Sequence, residues 1–178
     1  IGISNSEGST ISTGQGNDFI SGTGKGGKGS GETPWGELGP GVGIGIVNSG
    51  IINLGDDKDT LTGYGTNIGI QGGTIDGGNG NDDFKARRIN DSGNAISDQG
   101  GTIVDVLIKG GLGADTFDLG YGNATIDGGS GLDKLSLPDF KSDYTILGSS
   151  NNYTIKRDEF TLNVLNMEEI VFFGAAPL

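Results

Sequence analysis

Aspartate is the residue type whose spacing points to chemistry. Three segments fit one nine-residue template: two glycines, any residue, glycine, any residue, aspartate, any residue, a large apolar residue, any residue. They are Gly77 to Lys85, Gly110 to Asp118 and Gly128 to Ser136, with aspartates Asp82, Asp115 and Asp133. Two degenerate copies accompany them. Thr13 to Ser21 keeps Gly14, Gly16, Asp18 and Ile20, and Leu54 to Thr62 keeps Gly55, Asp59 and Leu61 but has Asp57 at the third glycine position. If such copies stack, equivalent side chains lie about 4.8 Å apart. Like charges at 4 Å in a medium of intermediate dielectric repel by about 4 kcal/mol. A column containing Asp115 and Asp133 is therefore unfavourable unless a cation lies between them.

Calcium suits such a column. It is hard, takes ~6–8 oxygen ligands and tolerates irregular geometry, and glycine turns expose backbone carbonyls that complete a shell. Magnesium fits less well because it demands strict octahedral geometry and retains water. The chain has neither cysteine nor histidine, so no soft ligand is present for zinc or copper. The same absence excludes disulfides, cysteine nucleophiles and histidine acid–base chemistry. A net charge of -12, from 23 acidic and 11 basic residues, argues against nucleic acid as a partner. No apolar run approaches the ~20 residues of a membrane span.

The elements that must position these aspartates are short strands and glycine turns. Of 178 residues 38 are glycine, yet only four are proline and no collagen period is present. Ile, Val, Leu and Phe recur in bursts between the glycines, as a repeat requires. Four nine-residue units run in phase from Gly101 to Ser136, with Ile108, Phe117, Ile126 and Leu135 at the apolar position. A wider unit opens at Ile1-Gly2-Ile3, Ile44-Gly45-Ile46 and Ile68-Gly69-Ile70, with a looser fourth copy at Asn94-Ala95-Ile96. One such strand cannot bury its apolar side alone, whereas stacked turns of chain bury a continuous ladder.

The expected fold is all-β: a right-handed parallel β-roll, or β-solenoid, over residues 1–137, with a glycine-rich insertion at 22–43 leaving the stack. Trp35 is expected to fold back from that insertion as an anchor. After Pro138 glycine becomes rare and period-two alternation appears. Asp143 to Leu147, Tyr153 to Lys156, Phe160 to Val164 and Ile170 to Phe173 read as strands, with a turn at Ser149 to Asn152. Residues 138–178 are expected to form an antiparallel β cap over the open edge. The absence of a matching N-terminal cap, with Ile1 as first residue, suggests a piece of a longer chain.

The template resembles the RTX nonapeptide, the haemolysin-type calcium-binding repeat. The resemblance covers roughly residues 13–136, and the segments Asp143 to Ile146 and Asn166 to Phe172 are similar to those that close such arrays. It implies several calcium ions held between successive same-side turns by the sixth-position aspartates and by carbonyls of the glycine turns. Carried over, Asp115 and Asp133, with Gly111, Gly113, Gly129 and Gly131, form the foremost site. Asp82 follows, with Gly78 and Gly80. Its partner 18 residues on falls where the register slips, and Asp98 is the nearest acid. Asp18 and Asp59 are further candidates whose same-side neighbours depart from the pattern. The resemblance also implies a secreted, extracellular protein exported by type I secretion.

No catalytic constellation is evident, so a non-enzymatic role is expected. Gly22 to Gly29 resembles a phosphate-binding loop only superficially, since Gly29 replaces the hydroxyl residue and no helix can follow. The alternative is a polysaccharide-binding or polysaccharide-modifying β-helix of the lyase or epimerase-associated kind. It calls for Lys85, Arg87 or Arg88 to cluster with acids on one exposed face. Calcium is thus the expected partner, with extracellular polysaccharide or a cell surface as the other partner class.

Overall fold

Apolar bursts and glycine turns lead the chain along one path several times. The computed structural model describes residues 1–27, 32–33, 36–37 and 41–173. Its regular structure is almost entirely β, and most strands pair in parallel. The first pass comprises β1 (Ile3–Asn5), β2 (Thr10–Gln15) and β3 (Phe19–Gly24). A small antiparallel pair follows, β4 (Glu32–Thr33) with β5 (Gly36–Glu37). The path then repeats as β6 (Ile44–Asn48), β7 (Ile51–Asp56) and β8 (Thr60–Gly65), and again as β9 (Ile68–Gln71), β10 (Thr74–Asn79) and β11 (Asp83–Arg88).

In later passes one strand replaces two. β12 (Ile103–Leu112) pairs with both β9 and β10. The corner that separates β9 from β10 is Gly72-Gly73, both with positive φ. In β12 it survives only as an irregularity at Asp105 (φ 52°), where the register to the next pass shifts. β13 (Thr116–Leu119) completes this pass, and β14 (Gly122–Ser130) with β15 (Lys134–Pro138) forms the next. The corner itself adds no length, because Ile70 to Ile75 and Ile103 to Ile108 are equal spans that pair at both ends. The pass from Ile70 to Ile103 is long because of the excursion between β11 and β12.

Parallel register stacks like on like, and three apolar columns result. One runs Ile3, Ile46, Ile70, Ile103. A second runs Ile11, Ile52, Ile75, Ile108, Ile126, Val164. The third runs Ile20, Leu61, Phe84, Phe117, Leu135, Ile170. Most of these side chains are fully buried, and each such burial is worth about 1.5–3 kcal/mol. Phe84 and Phe117 lie face to face, ring centroids 5.0 Å apart, close to the strand spacing that places them.

Three expectations are corrected. The fourth copy of the wider unit is Thr102-Ile103, which pairs with Ile70. Asn94 to Ile96 instead lies in an excursion closed by an antiparallel bridge from Ile89 to Ala95. The insertion does not begin at Gly22, because β3 runs on to Gly24 in register with β8. Its Trp35 lies outside the described residues. The C-terminal segment is only partly antiparallel. After a short 3₁₀ turn at Lys141–Asp143, β16 (Thr145–Ser149), β17 (Asn152–Arg157) and β18 (Phe160–Leu165) form an antiparallel meander. The β16–β17 turn is Ser150-Asn151, both left-handed (φ 54° and 65°), as a two-residue hairpin loop requires. Yet β18 pairs in parallel with β14, and β19 (Glu169–Phe173) in parallel with β15. The chain thus adds one more pass while covering the edge. Arg157 fastens this segment: its guanidinium lies 4.5 Å from the Tyr121 ring centroid and 5.3 Å from that of Tyr144, and it pairs with Asp139.

Candidate metal centre

In every pass an acid stands two residues before the apolar residue that anchors the second sheet. Stacking those apolar residues necessarily stacks the acids. The result is one column: Asp18, Asp59, Asp82, Asp115, Asp133 and Glu168. The backbone N–H of each member donates to a carboxylate oxygen of the next. Asp18 N–H donates to Asp59 Oδ1 at 2.7 Å, Asp59 to Asp82 at 2.8 Å, Asp82 to Asp115 at 2.8 Å and Asp115 to Asp133 at 2.8 Å. Asp133 N–H donates to Glu168 Oε2, also at 2.8 Å. The sequence separations along this ladder are 41, 23, 33, 18 and 35 residues. Only one equals the ideal repeat length, so the strand register, not the spacing, defines the column.

The other carboxylate oxygen is different. Oδ2 of Asp18, Asp59, Asp82, Asp115 and Asp133 is buried and has no hydrogen-bond partner. The side chains of Asp59, Asp82, Asp115 and Asp133 are at most 1% exposed. Burial pushes each of these four carboxyls above the ordinary aspartate value, against the lowering effect of the donated N–H; Asp115 is raised to about 6. Neighbouring carboxylates add to the rise, Asp82 and Asp133 acting on Asp115. A buried oxygen that carries charge and lacks a partner is a costly group.

The first glycine of each perfect repeat lies beside that oxygen. A β-carbon on Gly110 would come within 2.2 Å of Asp115 Oδ2 and 2.5 Å of the Gly128 carbonyl oxygen. One on Gly77 would meet Asp82 Oδ2 at 2.4 Å and the Gly110 carbonyl at 2.4 Å, and one on Gly128 would meet Asp133 Oδ2 at 2.6 Å and the Asn166 carbonyl at 2.2 Å. A carboxylate oxygen and a carbonyl from the following pass therefore converge on space that any side chain would fill. In the first two passes Thr13 and Leu54 occupy the equivalent position, and Leu54 is fully buried. The cradle is thus a property of the three perfect repeats.

The remaining turn glycines also stack. Gly111 (φ 111°) lies under the Gly78 carbonyl, and Gly129 lies under that of Gly111. Gly113 (φ 130°) lies under the Gly80 carbonyl, and Gly131 under that of Gly113. These left-handed angles exclude most side chains. Asp57 adopts φ 77° at the equivalent place in the second pass, and its carboxylate accepts the Gly16 N–H at 3.1 Å.

The expected site residues are therefore gathered in one column, with two differences. Asp98 lies elsewhere: it pairs with Arg88 at 3.1 Å and accepts the Gly100 N–H at 2.9 Å. That N–H, with Arg88, holds its carboxyl below the usual aspartate value. The neighbours of Asp82 are Asp59 and Asp115, because the excursion after β11 lengthens the pass. Asp18 and Asp59 share the ladder geometry despite their degenerate repeats, although they lack the cradle. Glu168 and the first glycines Gly77, Gly110 and Gly128 were not among the expected site residues. The acid-x-apolar spacing of Glu168-Glu169-Ile170 matches Asp133-Lys134-Leu135 and could have identified Glu168.

Among the described residues no group of three or more Asp or Glu side chains forms a metal-binding cluster. The column supplies one carboxylate per pass, so a cation there would depend on backbone carbonyls as well. The donor set is oxygen only, which suits a hard cation. Of the basic residues named for a polysaccharide site, Arg87 pairs with Asp118, and Arg88 binds Asp98 and the Gly100 carbonyl. No protein-family model matches the chain, and no curated protein or solved structure matches it either.

Proposed function

We propose that the chain is a calcium-stabilised β-roll module of the RTX type: a right-handed parallel solenoid whose glycine-aspartate turns hold calcium. The observation that carries this reading is the row of buried carboxylate oxygens without partners, each of those in the perfect repeats sharing a glycine-sized space with a backbone carbonyl of the next pass. Asp82, Asp115 and Asp133 would hold the ions, with carbonyls of the following glycine turns. Asp18, Asp59 and Glu168 extend the ladder. Calcium supplies positive charge that neutralises the column. The residues themselves supply oxygen donors, the left-handed turns that aim the carbonyls, and a fixed register.

The module acts as an extracellular, secreted element whose folding is coupled to calcium, not as an enzyme. Inside a cell, where calcium is scarce, the carboxylates would repel one another and leave the acidic chain expanded. Outside, binding free energy becomes folding free energy. Circular dichroism against calcium concentration, with isothermal titration calorimetry and a magnesium control, tests the proposal. A calcium-dependent gain of β signal with matching heat is the expected result. An identical β spectrum in excess chelator, with no heat of calcium binding, would overturn it.

A further inference from the structure

The turn that carries Glu168 is built differently from those that carry Asp82, Asp115 and Asp133. Residues 128–133 separate Asp127 from Lys134, but only residues 166–168 separate their register partners Leu165 and Glu169. The shortened turn, Asn166-Met167-Glu168, contains no glycine. Glu168 therefore joins the carboxylate column without the glycine-sized space that accompanies each perfect repeat. Its side chain is one methylene longer than that of aspartate, and the residue is exposed where Asp82, Asp115 and Asp133 are buried.

The β16–β17 turn supplies what this shortened turn lacks. The Asn151 carbonyl accepts the Met167 N–H at 3.0 Å, and Asn151 Nδ2 donates to Glu168 Oε1 at 2.8 Å. Glu168 Oε2 already accepts the Asp133 N–H at 2.8 Å. Both oxygens of Glu168 thus have protein donors. Asp59, Asp82, Asp115 and Asp133 each have one oxygen with a donor and one without, among the described residues. Turn formation alone does not account for the Asn151 amide. Ser150 adopts the same left-handed region (φ 54°) beside Asn151 (φ 65°), whereas the bond to Glu168 needs a side-chain N–H.

We propose that Asn151 stands in for a cation at the Glu168 carboxylate, so that the column takes one ion at each of the three cradles, beside Asp82, Asp115 and Asp133, and none at Glu168. The inference rests on the calcium reading and deepens it, by assigning which acids of the column hold an ion. An amide N–H donated to a carboxylate is a charge-assisted bond, and water reaches the rest of the exposed Glu168 side chain. The buried Oδ2 atoms have neither partner, and an unpaired buried charge is costly. Asn151 also acts as a selector. An aspartate at its position would set two carboxylates against each other at hydrogen-bond distance, an arrangement that calls for a cation.

The test uses the whole chain and two substitutions that both tolerate a left-handed turn. Asn151→Gly removes the amide, and Asn151→Asp replaces it with a carboxylate. Equilibrium dialysis against millimolar calcium should count one ion per cradle in the parent and in Asn151→Gly, and one ion more in Asn151→Asp. Asn151→Asp combined with Glu168→Gln should return to the parent count. Thermal melting gives a readout independent of the count. In excess chelator, with a stabilising osmolyte to keep the chain folded, Asn151→Asp should melt below Asn151→Gly, and calcium should reverse that order. Equal counts in Asn151→Asp and the parent, or a melting order that calcium leaves unchanged, would make Asn151 a turn residue only and overturn the inference. A parent ion lost in Glu168→Gln would overturn it as well. A parent that takes up no calcium would overturn the reading of the whole column, an outcome distinct from these.

Discussion

Asp115→Asn should reverse the sign of its effect on stability between calcium and chelator. The change keeps the shape of the side chain and an oxygen to accept the Asp82 N–H. The amide nitrogen then takes the place of the orphaned Oδ2 and faces the space it shares with the Gly128 carbonyl. Burial raises the Asp115 carboxyl from 3.8 to about 6. A folded-state value above the unfolded one means that the fold binds more protons between those values. Stability is therefore lost as pH rises through that window, and the loss is complete above it. A rise of that size corresponds to about 3 kcal/mol. In chelator at pH 8 the variant should be more stable than the parent by up to that amount, and at pH 4 the two should be nearly equal. In millimolar calcium at pH 8 the order inverts, because the variant has lost an anionic ligand. Urea unfolding followed by far-ultraviolet circular dichroism measures the difference. If the chelated parent is already unfolded, refolding by a stabilising osmolyte measures it from the other side. If the variant is weaker in chelator by the same margin as in calcium, the carboxylate charge is already compensated in the cation-free fold, and the metal reading fails.

The cradle, the ladder end and the C-terminal lock give further expectations. Gly110→Ala places a methyl 2.2 Å from Asp115 Oδ2; it should weaken calcium binding and cost about 1–3 kcal/mol, whereas Gly8→Ala, whose β-carbon meets nothing within 4 Å among the described residues, should leave calcium binding unchanged in the same titration. Leu54→Gly opens the equivalent space beside Asp59 but removes a fully buried side chain. Calorimetry should therefore show no loss of calcium stoichiometry while thermal melting shows a loss of about 2–5 kcal/mol. Glu168→Gln keeps an acceptor for the Asp133 N–H, so it should alter calcium affinity by less than Asp133→Asn in the same titration. Arg157→Met removes the cation held by Tyr121, Tyr144 and Asp139. Loss of the pair and its stacking should destabilise the fold by about 2–3 kcal/mol in thermal melts, without changing calcium stoichiometry.

What was legible in the sequence is what repeats at short range. The unit from Gly101 to Ser136 folds in the register its spacing implies, with Ile108 on Ile126 and Phe117 on Leu135. The strands after Pro138 were also legible from alternation, apart from the 3₁₀ turn at Lys141–Asp143. What escaped depends on where excursions fall. The Asn90 to Gly100 excursion changes the pass length without changing the register, so counting eighteen residues from Asp82 points to the wrong acid. The true partner is found by matching apolar anchors, Phe84 to Phe117. The same rule would have found Glu168 through Ile170, and Thr102-Ile103 as the fourth opening. The cradle was illegible for another reason. Three glycines in one turn all look like turn-formers, yet Gly111 and Gly113 serve backbone angle while Gly110 serves space beside a carboxylate.

That division of labour bears on why the perfect and degenerate repeats coexist. A ladder of N–H to carboxylate bonds needs only the aspartate and the register, and Asp18 and Asp59 supply both. A site that shares its space with a carbonyl needs the first glycine too, and only Gly77, Gly110 and Gly128 supply it. Where Leu54 fills the space, the second pass exchanges a cradle for a core side chain. On the calcium reading, passes one and two hold the stack by apolar contact alone, and the next three add charge to the same buried apolar columns. Such a gradient would make calcium act on one end of the molecule first. The Asp82-to-Asp133 region should gain hydrogen-exchange protection at lower calcium than the Asp18-to-Asp59 region, and protection that rises uniformly along the column would show that the first glycine does not matter.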